Sequence, residues 1–113
     1  MSGWFELNKN SNSSSQYHFV LKAGNGEVIL SSESYQSEAS AKNGISSVQV
    51  NSPLDDRYEK RASQKEQPYF VLKAANNQII GMSQMYSSAA ARDIGIASVK
   101  ANGSTDTIKD NTC

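Results

Sequence analysis

Cysteine is nearly missing from this chain. The single one, Cys113, stands at the last of 113 positions, so no disulfide can close within the chain. Small secreted domains commonly rest on several such bridges. Histidine is equally scarce: His18 is the only one, and no His, Cys and acidic residues gather at metal-ligand spacing. No metal and no cofactor is therefore expected. No apolar run approaches the roughly 20 residues that cross a bilayer. The opening MSGWFELNKN has neither the basic start nor the apolar stretch of a signal peptide. A soluble, cytoplasmic protein without membrane association is expected. An excess of one charge is lacking too: 11 Lys+Arg balance 11 Asp+Glu, so no net field draws nucleic acid or anionic lipid.

What the chain does have is an internal repeat. FVLKAGNGEVILSSESY, residues 19–35, returns as FVLKAANNQIIGMSQMY, residues 70–86, a shift of 51 positions from Phe19 to Phe70. The same shift carries Gly44-Ile45 onto Gly95-Ile96, Val48 onto Val99 and Asn51 onto Asn102. Half of this chain, about 55 residues, would be marginal alone, because little apolar area is left to offset chain entropy. Two repeats sharing one core are expected: a single domain over 1–113, with repeat one at 1–57 and repeat two at 58–113. No glycine- or proline-rich linker parts them.

Each repeat reads as strands followed by a helix. Trp4-Phe5-Glu6-Leu7 alternates like a strand. Residues 10–16, only Asn, Ser and Gln, predict an exposed hairpin loop. Asn25-Gly26 between two β-rich runs predicts a type I′ hairpin turn, with Asn76-Asn77 as its counterpart. That turn would set Leu21 against Leu30, Phe19 against Ser32 and Ala23 against Val28 on a core face. His18, Val20, Lys22, Ile29, Ser31, Glu33 and Tyr35 would share the other face, as would Tyr69, Val71, Lys73, Ile80, Met82, Gln84 and Tyr86. Ser37 and Ser88 are suited to N-cap helices whose apolar stripes are Ala41, Gly44, Ile45, Val48 and Gly95, Ile96, Val99. Asn51-Ser52-Pro53 and Asn102-Gly103 read as stops. Residues 54–63 follow the first helix as Thr105–Lys109 follow the second, so this segment would serve as last strand of one unit and first of the next.

Candidate chemistry is thin. Gly24-Asn25-Gly26 precedes a strand rather than a helix and lacks the lysine and hydroxyl of a P-loop. No serine lies in a G-x-S-x-G elbow. His18, Asp55-Asp56 and Cys113 read as ordinary surface or terminal residues, and no catalytic residue is assigned. The second sheet face stands out, with Lys22, Tyr35, Lys73 and Tyr86 among apolar neighbours. Aromatic and cationic groups on an exposed sheet suit a protein partner or single-stranded nucleic acid; they also suit a sheet braced by lysine stems.

The repeated F-x-L-K-A-x-N, the S-x-x-Y, the G-I-x-S-V, and W-F-E-L at the start together resemble the YegP-like family of small bacterial proteins, over essentially the whole chain. The resemblance implies two β3-α-β units completing one sheet with exchanged final strands, and it implies no known activity. The expected fold is thus α+β: one antiparallel sheet, two helices on one face and pseudo-two-fold symmetry. Three functions remain open: a non-catalytic, monomeric binding module using the open face; an enzyme or small-ligand binder with a site between the repeats, at Glu33, His18 and Tyr86; and an abundant, stress-related structural protein without a site.

Overall fold

A computed structural model describes residues 3–9 and 16–112; most of the loop expected at 10–16, and Cys113, lie outside the described residues. The elements run β1 (Trp4–Lys9), β2 (Tyr17–Lys22), β3 (Val28–Ser31), α1 (Glu38–Asn51), a single 3-10 turn (Asp55–Arg57), β4 (Tyr58–Ala62), β5 (Pro68–Lys73), β6 (Ile79–Met82), α2 (Ala89–Asn102) and β7 (Ile108–Asp110). The strands form one seven-stranded sheet in the order β4-β5-β6-β3-β2-β1-β7. Each strand that follows a helix joins the other repeat: β4 pairs with β5, and β7 pairs with β1. This is the exchange expected of residues 54–63. The β7–β1 pairing is parallel, so the sheet is mixed rather than antiparallel throughout.

Both helices lie on one face, above Phe5, Leu7, Phe19, Leu21, Leu30, Phe70 and Leu72, all essentially inaccessible to solvent. Burying such side chains contributes roughly 1.5–3 kcal/mol each. Ser37 and Ser88 cap the helices as expected, their hydroxyls accepting the N–H groups of Ser40 (3.0 Å) and Ala91 (3.1 Å). The matching asparagines clip helix ends to strand starts. Asn51 Oδ1 accepts from Arg57 Nε (2.9 Å), and Asn102 Oδ1 accepts from the Gly3 N–H (2.7 Å).

The hairpin turns depart from the expected type. Ala23 C=O accepts the Gly26 N–H (2.9 Å) while Ala23 N–H donates to Glu27 C=O (2.9 Å), so the loop has three residues. Only Gly26 takes positive φ (86°), where a type I′ turn would need it at Asn25 as well. Asn77 (φ 71°) takes the same place in repeat two, and Glu66 (φ 60°) does so in the β4–β5 loop. In both repeats the register then slips by one residue beyond the turn, between Leu21 and Lys22 and between Leu72 and Lys73, whereas the β4–β5 hairpin keeps a regular register. Lys22 therefore faces Val28 and Lys73 faces Ile79. Val28 turns out to solvent, 41% exposed, whereas Ile29 (6%) and Ile80 (8%) join the core. These are the faces opposite to those expected from strict alternation along the strand.

Candidate functional site: a pocket on the pseudo-two-fold axis

The four residues proposed for binding do not share a face. Ser32 N–H bonds Phe19 C=O (2.9 Å), and Tyr35 exchanges both backbone bonds with Tyr17 (2.7 and 2.8 Å). Two steps along β2 thus span three residues opposite it, and the extra residue reverses side-chain parity. The Ser32 hydroxyl makes this possible by accepting the Phe19 N–H (2.9 Å) and donating to Glu33 C=O (2.8 Å). Ser83 does the same with Phe70 (3.0 Å) and Gln84 (2.8 Å). Tyr35 consequently turns under α1 and stacks on Phe19 with centroids 6.1 Å apart; Tyr86 turns under α2 and stacks on Phe70 at 6.3 Å. Burial, then the Glu33 charge, raises the Tyr35 pKa. Both tyrosines are core braces, not an exposed platform.

Lys22 and Lys73 do lie on the open face, and each is engaged. Lys22 pairs with Glu6 on β1 (3.1 Å), and Glu6 also accepts from Trp4 Nε1 (2.9 Å). Lys109 sits 4.2 Å from the Trp4 ring centroid. In repeat two, Lys73 and Arg61 both pair with Glu59. These bonds hold both carboxyls below the usual range: Trp4 contributes most at Glu6, and Lys73, then Arg61, at Glu59. The arrangement braces neighbouring strands.

The central feature is a concavity where the repeats meet. β3 and β6 pair only through Ser31 and Met82, which are equivalent positions of the two repeats, so the pseudo-two-fold axis runs between them. Here lies a pocket of about 460 Å³ walled by Val28, Leu30, Ile79, Ile80 and Met82, with Glu33 and Gln84 also lining it. No residue of either helix contributes, so the helices do not roof it. Because the strands are antiparallel, the equivalent residues Glu33 and Gln84 lie at opposite ends, roughly 13 Å apart at 3.2–3.4 Å per residue. Of the trio expected between the repeats, Glu33 lines this pocket; His18 and Tyr86 do not. Sequence reasoning missed Val28 and Ile79 as site residues because the altered turn re-aims them. Their signal was their place immediately after Asn25-Gly26-Glu27 and Asn76-Asn77-Gln78.

A second groove, about 380 Å³, lies between α2 and the free edge of β4. Its charges are internally matched, Lys60 to Asp93 (3.3 Å) and Lys100 to Asp55. Among the described residues no three His, Cys, Asp or Glu side chains converge to hold a metal. No helix among the described residues is long and apolar enough to cross a membrane.

Comparison with known proteins agrees with the resemblance seen in the repeated motifs. The family model for DUF1508, a domain of unknown function, matches twice, over residues 12–59 and 63–110. A UPF0339 protein of Shewanella oneidensis is 64% identical over 112 residues, covering 99% of this chain and all of the relative. The UPF0339 protein YegP of Escherichia coli O157:H7 is 62% identical over the same length, with the same coverage. The solution NMR structure of yegP from E. coli, described as a protein of unknown function, superposes with a TM-score of 0.91 at 61% identity, covering 99% of this chain and 95% of that one. A Shewanella oneidensis UPF0339 structure also gives 0.91, at 64% identity, covering 99% and 93%. With two matches that span most of its length, this chain belongs to the DUF1508 family, in the tandem-repeat form shared by the UPF0339 (YegP) proteins.

Proposed function

We propose that this protein is a non-catalytic binding module whose site is the pocket on the pseudo-two-fold axis, and that its ligand is a small molecule with a substantial apolar part. The observation that carries this reading is the pocket itself. It is a concavity of about 460 Å³ with aliphatic walls and few polar groups, within the size and character of ligand sites. It also leaves large apolar side chains unpartnered: Met82 is 45% exposed and Val28 41%. A nucleic-acid platform is less well supported, since Tyr35 and Tyr86 are partly buried and stack on the core residues Phe19 and Phe70. Lys22 and Lys73 are paired with carboxylates.

Catalysis is not favoured, because the polar residues lining the pocket, Ser31, Ser32, Glu33, Ser83 and Gln84, include no nucleophile-base pair. The chain is read as a cytoplasmic monomer. One cysteine suits a reducing compartment, and the repeats complete each other's sheet within one chain.

Calorimetric titration with 1-octanol tests the reading. The protein should bind it, and Met82→Glu, which places a charge among the apolar walls, should abolish binding while leaving the fold unchanged. Equal binding by the variant would place the ligand elsewhere.

A further inference from the structure

We infer that the axial pocket takes an amphiphilic cation, an aliphatic chain ending in one ammonium group, with the ammonium at Glu33. The inference rests on the pocket being the binding site and adds the chemistry of its ligand. Among the described residues, Glu33 is the only charged one that lines the pocket. Its carboxylate makes no ion pair among the described residues. The other carboxylates of the open face are neutralised: Glu6 by Lys22, and Glu59 by Lys73 and Arg61. The lysines facing Val28 and Ile79 are therefore committed to the flanking strands and do not compensate Glu33.

Pseudo-symmetry sharpens the point. The opposite end carries Gln84, the equivalent of Glu33, so the pocket has one anionic end and one neutral end. An extended aliphatic chain would lie along the walls made by Val28, Ile79 and Met82. Its ammonium would form a charge-assisted hydrogen bond at Glu33, and its tail would reach toward Gln84. The Ser32 hydroxyl, bonded to the Glu33 carbonyl (2.8 Å), ties down the segment that presents the carboxylate.

The test compares n-octylammonium, 1-octanol and octanoate on the intact chain, by calorimetry and by the NMR shift of the Met82 methyl group. Octylammonium should bind about tenfold more tightly than octanol, the gain expected of one charge-assisted contact, and octanoate should bind most weakly. Glu33→Gln should bring octylammonium down to the octanol level. Gln84→Glu, which makes both ends anionic, should raise affinity for 1,8-octanediammonium about tenfold over the unmodified chain. Equal affinity for octanol and octylammonium, or an unchanged octylammonium affinity in Glu33→Gln, would overturn the cation assignment while leaving the pocket as a site. Failure of both octanol and octylammonium to move the Met82 methyl would overturn the pocket and the cation together.

Discussion

Leu30 occupies the space that a side chain at Gly81 would need. A Cβ built on Gly81 falls 2.6 Å from Leu30 Cδ2, and the two residues are equivalents across the pseudo-two-fold axis. Two leucines cannot both fit there, so one repeat supplies the bulk and the other the gap. The same solution recurs where the helix ends meet: a Cβ at Gly103 would collide with Ser52, its own equivalent. Duplication within one chain permits this asymmetry, which a pair of identical repeats could not adopt. Leu30→Gly should destabilise by about 2–5 kcal/mol through the cavity it leaves, and Gly81→Leu by about 1–3 kcal/mol through overpacking. The reciprocal double substitution should be far more stable than the sum of the singles, as read by urea denaturation. Additive losses would refute the pairing.

Gly44 and Gly95 are tolerated inside helices because tyrosines fill the space beside them. A Cβ at Gly44 would stand 2.5 Å from the Tyr35 hydroxyl and 2.8 Å from the Phe19 ring; Gly95 meets Tyr86 in the same manner. Alanine would gain about 1 kcal/mol of helix propensity but force the ring aside at a cost of about 1–3 kcal/mol. Gly44→Ala should therefore be net destabilising, and Tyr35→Phe in that background should recover part of the loss. Thermal denaturation of these two variants beside the unmodified chain decides it.

Much of this architecture was legible in the residues. The 51-residue shift exposed the duplication, the change from strand to helix period located α1 and α2, and Ser37 and Ser88 marked where they begin. Side-chain parity past each irregularity was not legible. Ile29 and Tyr35 were assigned by counting in twos along an unbroken strand. The chain carries one extra residue at Ile29, opposite the step from Leu21 to Lys22, and another between Ser32 and Tyr35, each reversing the count. The pocket was hidden for the same reason, since it forms from Val28, Ile79 and Met82 only once those bulges are in place. The repeated S-x-x-Y carried the information, because its serine bonds the facing backbone and so builds the bulge, but periodicity alone does not read it.

Three of the hairpin loops, β2–β3, β4–β5 and β5–β6, set up a comparison of left-handed residues. Gly26 bears φ 86° at no steric cost, whereas Glu66 is held at φ 60°. A left-handed side-chain residue costs about 1–2 kcal/mol, against which glycine's extra chain entropy is about 0.5–1 kcal/mol. Glu66→Gly should thus stabilise by about 0.5–1 kcal/mol. Gly26→Ala should destabilise by about 1 kcal/mol or slightly more, although its Cβ would meet nothing within 4 Å. Denaturant midpoints measure both.

Stability should fall at both ends of the pH scale for different reasons. Glu6, held low by Trp4 and Lys22, contributes stability above the unfolded carboxyl pKa of about 4.3; that contribution is lost as pH falls and the folded carboxyl takes up its proton. Tyr58 is shifted the other way, since burial raises its hydroxyl pKa while it donates to Ser52 C=O (2.7 Å). Its contribution is complete below about pH 10 and is lost as pH rises from there toward the raised folded pKa. Glu6→Gln should flatten the acid limb of a Tm-against-pH profile, and Tyr58→Phe the alkaline limb. Profiles unchanged in shape would remove these groups as the cause.

The most direct measurement of the proposed site is the set of intermolecular nuclear Overhauser effects between the alkyl protons of 1-octanol and the protein methyl groups. The account predicts contacts to Met82, Val28 and Ile79 together, with none to Val50 or Ile94, which are more exposed (69% and 71%) but lie on the helices. Contacts that follow exposure, strongest at Ile94 and Val50 and absent at Met82, would show ordinary surface association and contradict a binding site between the repeats.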